Sequence, residues 1–233
     1  MRCFKSMSLL VVLASVLSAQ ALSIADVEAV SIRNDLSGLT ELRDEAEKQD
    51  DGYLQAFLEY RIAVAANAAN DAKLAKRSLK TSAKLLRGGL ETSPNSVQHM
   101  TLLANVYGLQ IGINPMKGMT LGRKSHALID RAMNIDPTNP HTLLAKGISD
   151  FNTPSMFGGS KGDALKTLDA AIKAFGASPD AQWGAAEAHV WRALALDEQA
   201  RRSEAVAALN TALEIEPDYA WARFILRSMA ATS

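Results

Sequence analysis

The chain repeats itself, and a repeat limits the folds open to it more than any single motif does. Ala127 to Pro137 (ALIDRAMNIDP) and Ala207 to Pro217 (AALNTALEIEP) lie eighty residues apart and share a small residue followed by an apolar-acidic-proline ending. Between them, Ala164, Leu168 and Ala171 repeat the spacing of Ala205, Leu209 and Ala212. Aligned in this way, Ser82, Ser125, Ala164 and Ala205 mark successive units at steps of 43, 39 and 41 residues. Units of this size are helical hairpins that cannot bury an apolar face alone and must stack. Apolar residues recur at three- and four-residue steps from about Leu36 onward, interrupted by short Pro, Gly or Asn segments. That period belongs to helices. Leu39, Leu42 and Ala46 mark a short first helix, Leu54 to Ala65 a second and Leu74 to Leu90 a third. The next helix, near Ser96 to Gln110, should stop at Gly112, Asn114, Pro115 and Gly118. With 39 alanines and only 6% aromatic residues, the composition favours closely packed helices over strands, so the fold class is all-α.

The first residues follow another rule. Arg2 and Lys5 precede an apolar run from Met7 to Leu17 that is too short to span a bilayer, and Ala19-Gln20-Ala21 puts small residues where a signal peptidase reads. We therefore expect a cleavable signal peptide over residues 1–21, with an uncleaved anchor as the alternative. A segment with a short helix should occupy 22–51, and a repeat domain 52–233. The mature form would be periplasmic and not membrane-spanning. Cys3 lies before the cleavage point, so the mature chain has no thiol for redox chemistry or metal binding. An apolar content of 48% argues against disorder, and the balance of 25 basic and 25 acidic residues gives no hint of a nucleic-acid partner.

The units resemble the tetratricopeptide repeat (TPR), a 34-residue helix-turn-helix with small residues at fixed places and a closing proline. In the last unit Ala193, Ala205, Leu209, Ala212 and Pro217 fall at the expected offsets, with twelve residues from Ala193 to Ala205. The corresponding intervals are twenty from Asn105 to Ser125 and seventeen from Gly147 to Ala164, so the two middle hairpins carry insertions between their helices. The match is weaker at Asn105 and in the first unit, at Ser82 and Gly89. It covers about Gly52 to Thr232 and implies a right-handed α-solenoid of about four TPR-like hairpins. A narrower resemblance is to exported bacterial TPR proteins with a Thr-Pro, Met-Phe-Gly-Gly and Lys insertion. It rests on Gly147 to Lys161 (GISDFNTPSMFGGSK), Trp183-Gly184, Ala186-Glu187-Ala188 and Pro217-Asp218-Tyr219-Ala220-Trp221. In outline the chain is also similar to the accessory TPR component of TRAP-type periplasmic solute transporters.

Nothing in the sequence nominates catalysis. His99, His126, His141 and His189 have no metal-ligand spacing, and Gly158-Gly159-Ser160-Lys161 follows no strand, unlike a phosphate loop. No cofactor, metal or enzymatic role is expected, and a binding role is. The TPR resemblance maps the concave groove onto His99, Leu102, Val106 and Leu109, then His141, Leu144, Ile148 and Phe151, then Glu187, Val190, Leu194 and Asp197. Such an apolar groove would suit an apolar peptide face, a helix or a small lipid-like ligand. The competing expectation is that another helix of the chain, near Gly38 to Lys48, fills it and makes these residues core. His99 and His141 would occupy equivalent positions as satisfied interface histidines or a pH-sensitive contact. Trp183, Trp191 and Trp221 would pack between repeats. Met116 and Met119 in one insertion, and Met156 and Phe157 in the other, would project from one edge to dock a partner, or fold back over the widened turns. Two functions follow: a periplasmic scaffold for a protein or peptide, or a transport accessory for a small apolar solute.

Overall fold

A computed structural model describes residues 21–231. The basic start and apolar run of the expected export signal lie outside the described residues. Twelve α-helices follow: α1 (Ile24–Ser31), α2 (Leu36–Glu41), α3 (Arg43–Lys48), α4 (Gly52–Ala68), α5 (Ala72–Thr92), α6 (Val97–Ile113), α7 (Gly118–Ile135), α8 (Pro140–Asn152), α9 (Lys161–Gly176), α10 (Ala185–Asp197), α11 (Arg202–Ile215) and α12 (Ala220–Ala231). Among the described residues there is no strand. Helices α4 and α5, α6 and α7, α8 and α9, and α10 and α11 form four antiparallel hairpins stacked in chain order, with α12 on the last of them.

Local chemistry sets the helix ends. Asp51, Asp71, Ser96, Asn139 and Ser160 each accept a backbone N–H with the side chain at a helix N-terminus, satisfying donors that have no intrahelical partner. Ser23 and Asp26 form a reciprocal capping box that starts α1. Apolar periodicity does not reveal this helix, and the expected single helix after Leu36 is two, α2 and α3. Gly112 does not stop α6, because one helical glycine costs only about 1 kcal/mol. The stop comes at Asn114, which is extended ahead of Pro115.

The repeat anchors lie where hairpins close. Ser82, Ala164 and Ala205 are fully buried, and Ser125 nearly so. Ser82 Oγ donates to the Ala56 carbonyl at 2.7 Å and Ser125 Oγ to that of Ala104 at 3.1 Å, so in the first two hairpins a serine ties the second helix to the first. The later two hairpins place alanine at this point, where no side-chain hydrogen bond is made and the helices simply touch. The inner helix α4 is buried almost all round, through Leu54, Phe57, Leu58, Ile62 and Ala66. Its outer partner α5 buries one face, through Ala75, Leu79, Ala83 and Leu86, and exposes the other. The two ends of the solenoid meet: the Ala220 N–H at the start of α12 donates to the Ile32 carbonyl at the end of α1, at 2.8 Å.

Candidate functional site

The middle of the concave face is packed. Leu102, Val106, Leu144 and Val190, in three successive hairpins, have no exposed surface, and Glu187 is buried. His99, Leu109, His141, Ile148, Phe151, Leu194 and Asp197 are half-buried. The open groove yields to packed core, for a reason only partly foreseen. Helices α2 and α3, which span the Gly38 to Lys48 segment, pack on α4. Helix α4 supplies the residues that meet the last hairpin, and α1 holds one of them from the other side. Arg61 of α4 is 4% exposed, and its guanidinium donates to Glu28 of α1 at 3.0 Å and to Glu187 of α10 at 3.2 Å. Phe57 of α4 packs on Trp183, just before α10, with ring centroids 5.2 Å apart. The Arg61 guanidinium lies 5.0 and 5.2 Å from the centroids of the same two rings.

This latch places one cation between two carboxylates in a dry setting. Burial pushes the Glu28 carboxyl up to about 7, with Glu187 and Glu216 adding to the rise and Arg61 opposing it. Burial disfavours the Arg61 cation, but Glu28 and Glu187 outweigh that effect and keep it charged. The two histidines of the mapped groove are occupied as well. His141 stacks on Trp183 with centroids 4.3 Å apart, and its Nε2 donates to the Trp183 carbonyl at 3.0 Å. Burial depresses His141 to about 4, so it is neutral at pH 7. His99 Nδ1 pairs with Ser96 Oγ at 2.7 Å, and its ring packs beside Tyr53. Gly184, with φ +97°, turns the chain into α10 where a Cβ would lie 2.9 Å from the Phe175 ring, and so lets Trp183 reach the latch. The remaining recess at the groove mouth, lined by Ile24, Tyr53, Thr101, His141 and Trp183 among others, holds about 100 Å³. Trp191 packs edge-on against both Phe151 and Trp221, with centroids at 5.6 and 5.3 Å, so the tryptophans serve packing.

The insertion edge is the opposite case. Met116 is 92% exposed, Met119 78%, Met156 80% and Phe157 64%. They project outward and do not fold back. Their turns are nonetheless built. Asn114 accepts the Met116 N–H and starts a 3-10 turn over Pro115–Lys117. In the second insertion the Phe157 and Gly159 N–H groups donate to the Pro154 carbonyl, and the Ser160 N–H to that of Asp150. A Cβ on Gly159 would fall 1.7 Å from the Thr153 carbonyl oxygen, so only glycine closes this loop. Lys161 Nζ donates to the Phe151 carbonyl at 2.7 Å and sits 3.5 Å from that ring's centroid. His126 of α7 pairs with Thr153 Oγ1 at 3.3 Å, joining the second hairpin to the second insertion. Beside this loop runs an open recess of about 510 Å³, lined by Phe151, Asn152, Thr153, Pro154, Ser155, Gly159, Ser160 and Lys161. The residues that sequence reasoning missed are Arg61 and Glu28. Neither sits in a motif, and only the curvature that brings α4 to α10 unites them with Glu187. Among the described residues no three His, Cys, Asp or Glu side chains gather as a metal site, and no helix is long and apolar enough to cross a membrane.

No protein-family model and no curated protein matches the chain. Solved structures do. The HusA haemophore from Porphyromonas gingivalis is 18% identical with a TM-score of 0.59, over 77% of this chain and 96% of that one. TTC0263, a thermophilic TPR protein of Thermus thermophilus, is 16% identical with a TM-score of 0.53, over 84% and 89%. YrrB, a TPR protein with an unusual peptide-binding site, is 18% identical with a TM-score of 0.42, over 88% and 90%. The likeness to the first two is one of fold: the chain is a TPR-like all-α solenoid.

Proposed function

We propose that the chain is a non-catalytic TPR-like scaffold of the periplasm that holds a protein or peptide partner on its insertion edge. The observation that carries this reading is the exposure of Met116, and of Met156 and Phe157, on two structured turns at equivalent places in successive hairpins, with Met119 exposed just beyond the first turn at the start of α7, while the central concave positions are buried. Large apolar side chains held in water by built turns are candidates for partner contact, and methionine adapts to varied partner surfaces. The open recess beside Met156 and Phe157 gives a partner side chain somewhere to insert. Export is supported by the basic-apolar-small start of the sequence and by Leu22, which directly follows Ala21 and is already buried against the fold.

Replacing Met116, Met119, Met156 and Phe157 together by Ser is expected to abolish crosslinking to a periplasmic protein while leaving the fold intact. Unchanged crosslinking would refute the edge. N-terminal sequencing of the exported chain should begin at Leu22. A solute-receiving accessory role is the weaker reading, because ligand pockets run to about 300–1,000 Å³ and the groove mouth offers about 100 Å³. The haemophore neighbour makes haem the sharpest probe of that alternative. A hemin titration is expected to leave both the haem spectrum and the tryptophan fluorescence unchanged.

A further inference from the structure

The overall charge balance hides a segregation along the chain. Residues 72–129 carry nine Lys and Arg against Glu91 alone, whereas residues 22–71 carry four cations and eleven carboxylates. The excess is concentrated on α5. Lys73, Lys76, Arg77, Lys80, Lys84 and Arg87 are all exposed and fall within an arc of about 100° on the helix, separate from the arc of the buried Ala75, Leu79, Ala83 and Leu86. From Lys73 to Arg87 the row runs about 21 Å. Among the described residues none of the six forms an ion pair, whereas cations on the later outer helices do: Lys166 with Asp163, and Arg202 with Asp197. Lysine and arginine are good helix formers, but like charges three and four residues apart weaken a helix, so helix stability does not explain why this face carries one sign of charge.

We propose that the outer face of α5 seats the protein on an anionic lipid bilayer. Each basic group near such a surface is attracted by its diffuse negative potential without any need for shape complementarity. The residue types favour this occupant over others. Four of the six are lysine, which protein interfaces avoid in their cores, and the row holds no aromatic or large apolar anchor. It also lacks the interleaved aromatic rings on which nucleic-acid bases stack. The proposal is independent of the scaffold reading, because the row lies on a helix face and not in the two insertions.

The test is co-flotation of the exported chain with vesicles of equal parts phosphatidylcholine and phosphatidylglycerol. Binding is expected at low salt, should vanish as ionic strength rises from about 0.05 to about 0.5 M, and should not occur on phosphatidylcholine alone. Lys76→Gln, Lys80→Gln and Lys84→Gln together should lower the partition coefficient about 100-fold, with an unchanged or slightly raised melting temperature. Lys166→Gln, Lys173→Gln and Arg227→Gln remove the same charge elsewhere and should leave binding unchanged. Equal loss in both triple variants, binding to neutral vesicles, or displacement of vesicles by a DNA duplex at lower phosphate concentration would overturn the proposal. Met156→Ser with Phe157→Ser should still float, so failure of the edge and failure of the bilayer surface are told apart.

Discussion

Two regions of this solenoid carry apolar side chains at repeat-equivalent positions. On the concave face Leu102, Leu144 and Val190 are fully buried in a stack whose first and last hairpins the Arg61 latch joins. On the insertion edge Met116 and Met156 are held out into water by hydrogen-bonded turns. The difference shows that repeat phase assigns a residue to a side of the superhelix but not to solvent. Solvent access depends on how far the stack curls and on what the N-terminal segment does. A TPR-like stack whose first and last hairpins touch turns the middle of its groove into core and leaves its most exposed large apolar side chains on the rim.

The contrast can be broken most severely at the latch. Arg61→Ala would leave Glu28 and Glu187 facing each other without a cation and should cost about 3–5 kcal/mol in chemical denaturation. Part of that loss should be recovered at acid pH, where the carboxyls protonate. If Arg61→Ala is neutral, the closure contributes little to stability. Replacing Leu144 and Ile148 together by Ser should cost on the order of 2–5 kcal/mol in thermal or denaturant melts, through lost packing and buried hydroxyls. An open groove would tolerate it.

A pH series sharpens the picture of the buried charges. Because Glu28 is raised from 4.5 to about 7 in the fold, the folded chain keeps a proton there that the unfolded chain releases. Its contribution is full below the unfolded value and is lost as pH rises through the folded one. Glu28→Gln should therefore gain on wild type by about 1–3 kcal/mol between pH 5 and 8. His141 works the other way: lowered to about 4, its contribution is present above 6.5 and lost as pH falls through the folded value. A stability difference between Glu28→Gln and wild type that does not vary with pH would mean that Glu28 is not dry. The smallest effect belongs to the edge, where Met116→Ser and Met156→Ser should each move stability by less than about 0.5 kcal/mol.

Much of this was legible in the residues and some of it was not. The four hairpins could be read because small anchors such as Ala164 and Ala205 recur wherever helices must touch, a demand that acts locally and repeats. The insertions could be read from interval arithmetic, and the outward Met and Phe side chains from their place in turns. The latch could not be read. Arg61 and Glu187 are 126 residues apart in sequence and meet only through the summed rotation of three hairpins, which no local period encodes. Helix α1 was missed because its eight residues bury only Val27 fully and leave no apolar stripe to detect. Its one local signal was the Ser23 and Asp26 capping box. The charged face of α5 does not show in the balance of the whole chain, where the acidic N-terminal segment cancels it.

The central claim is that the partner is held on the rim because the chain fills its own groove. A photo-crosslinking residue placed at Phe157, and in a second version at half-buried Leu194 in the mapped groove, tests it in the exported protein. A discrete partner adduct is expected from position 157 and none from position 194. An adduct from 194 with none from 157 would contradict it and return the binding surface to the concave face.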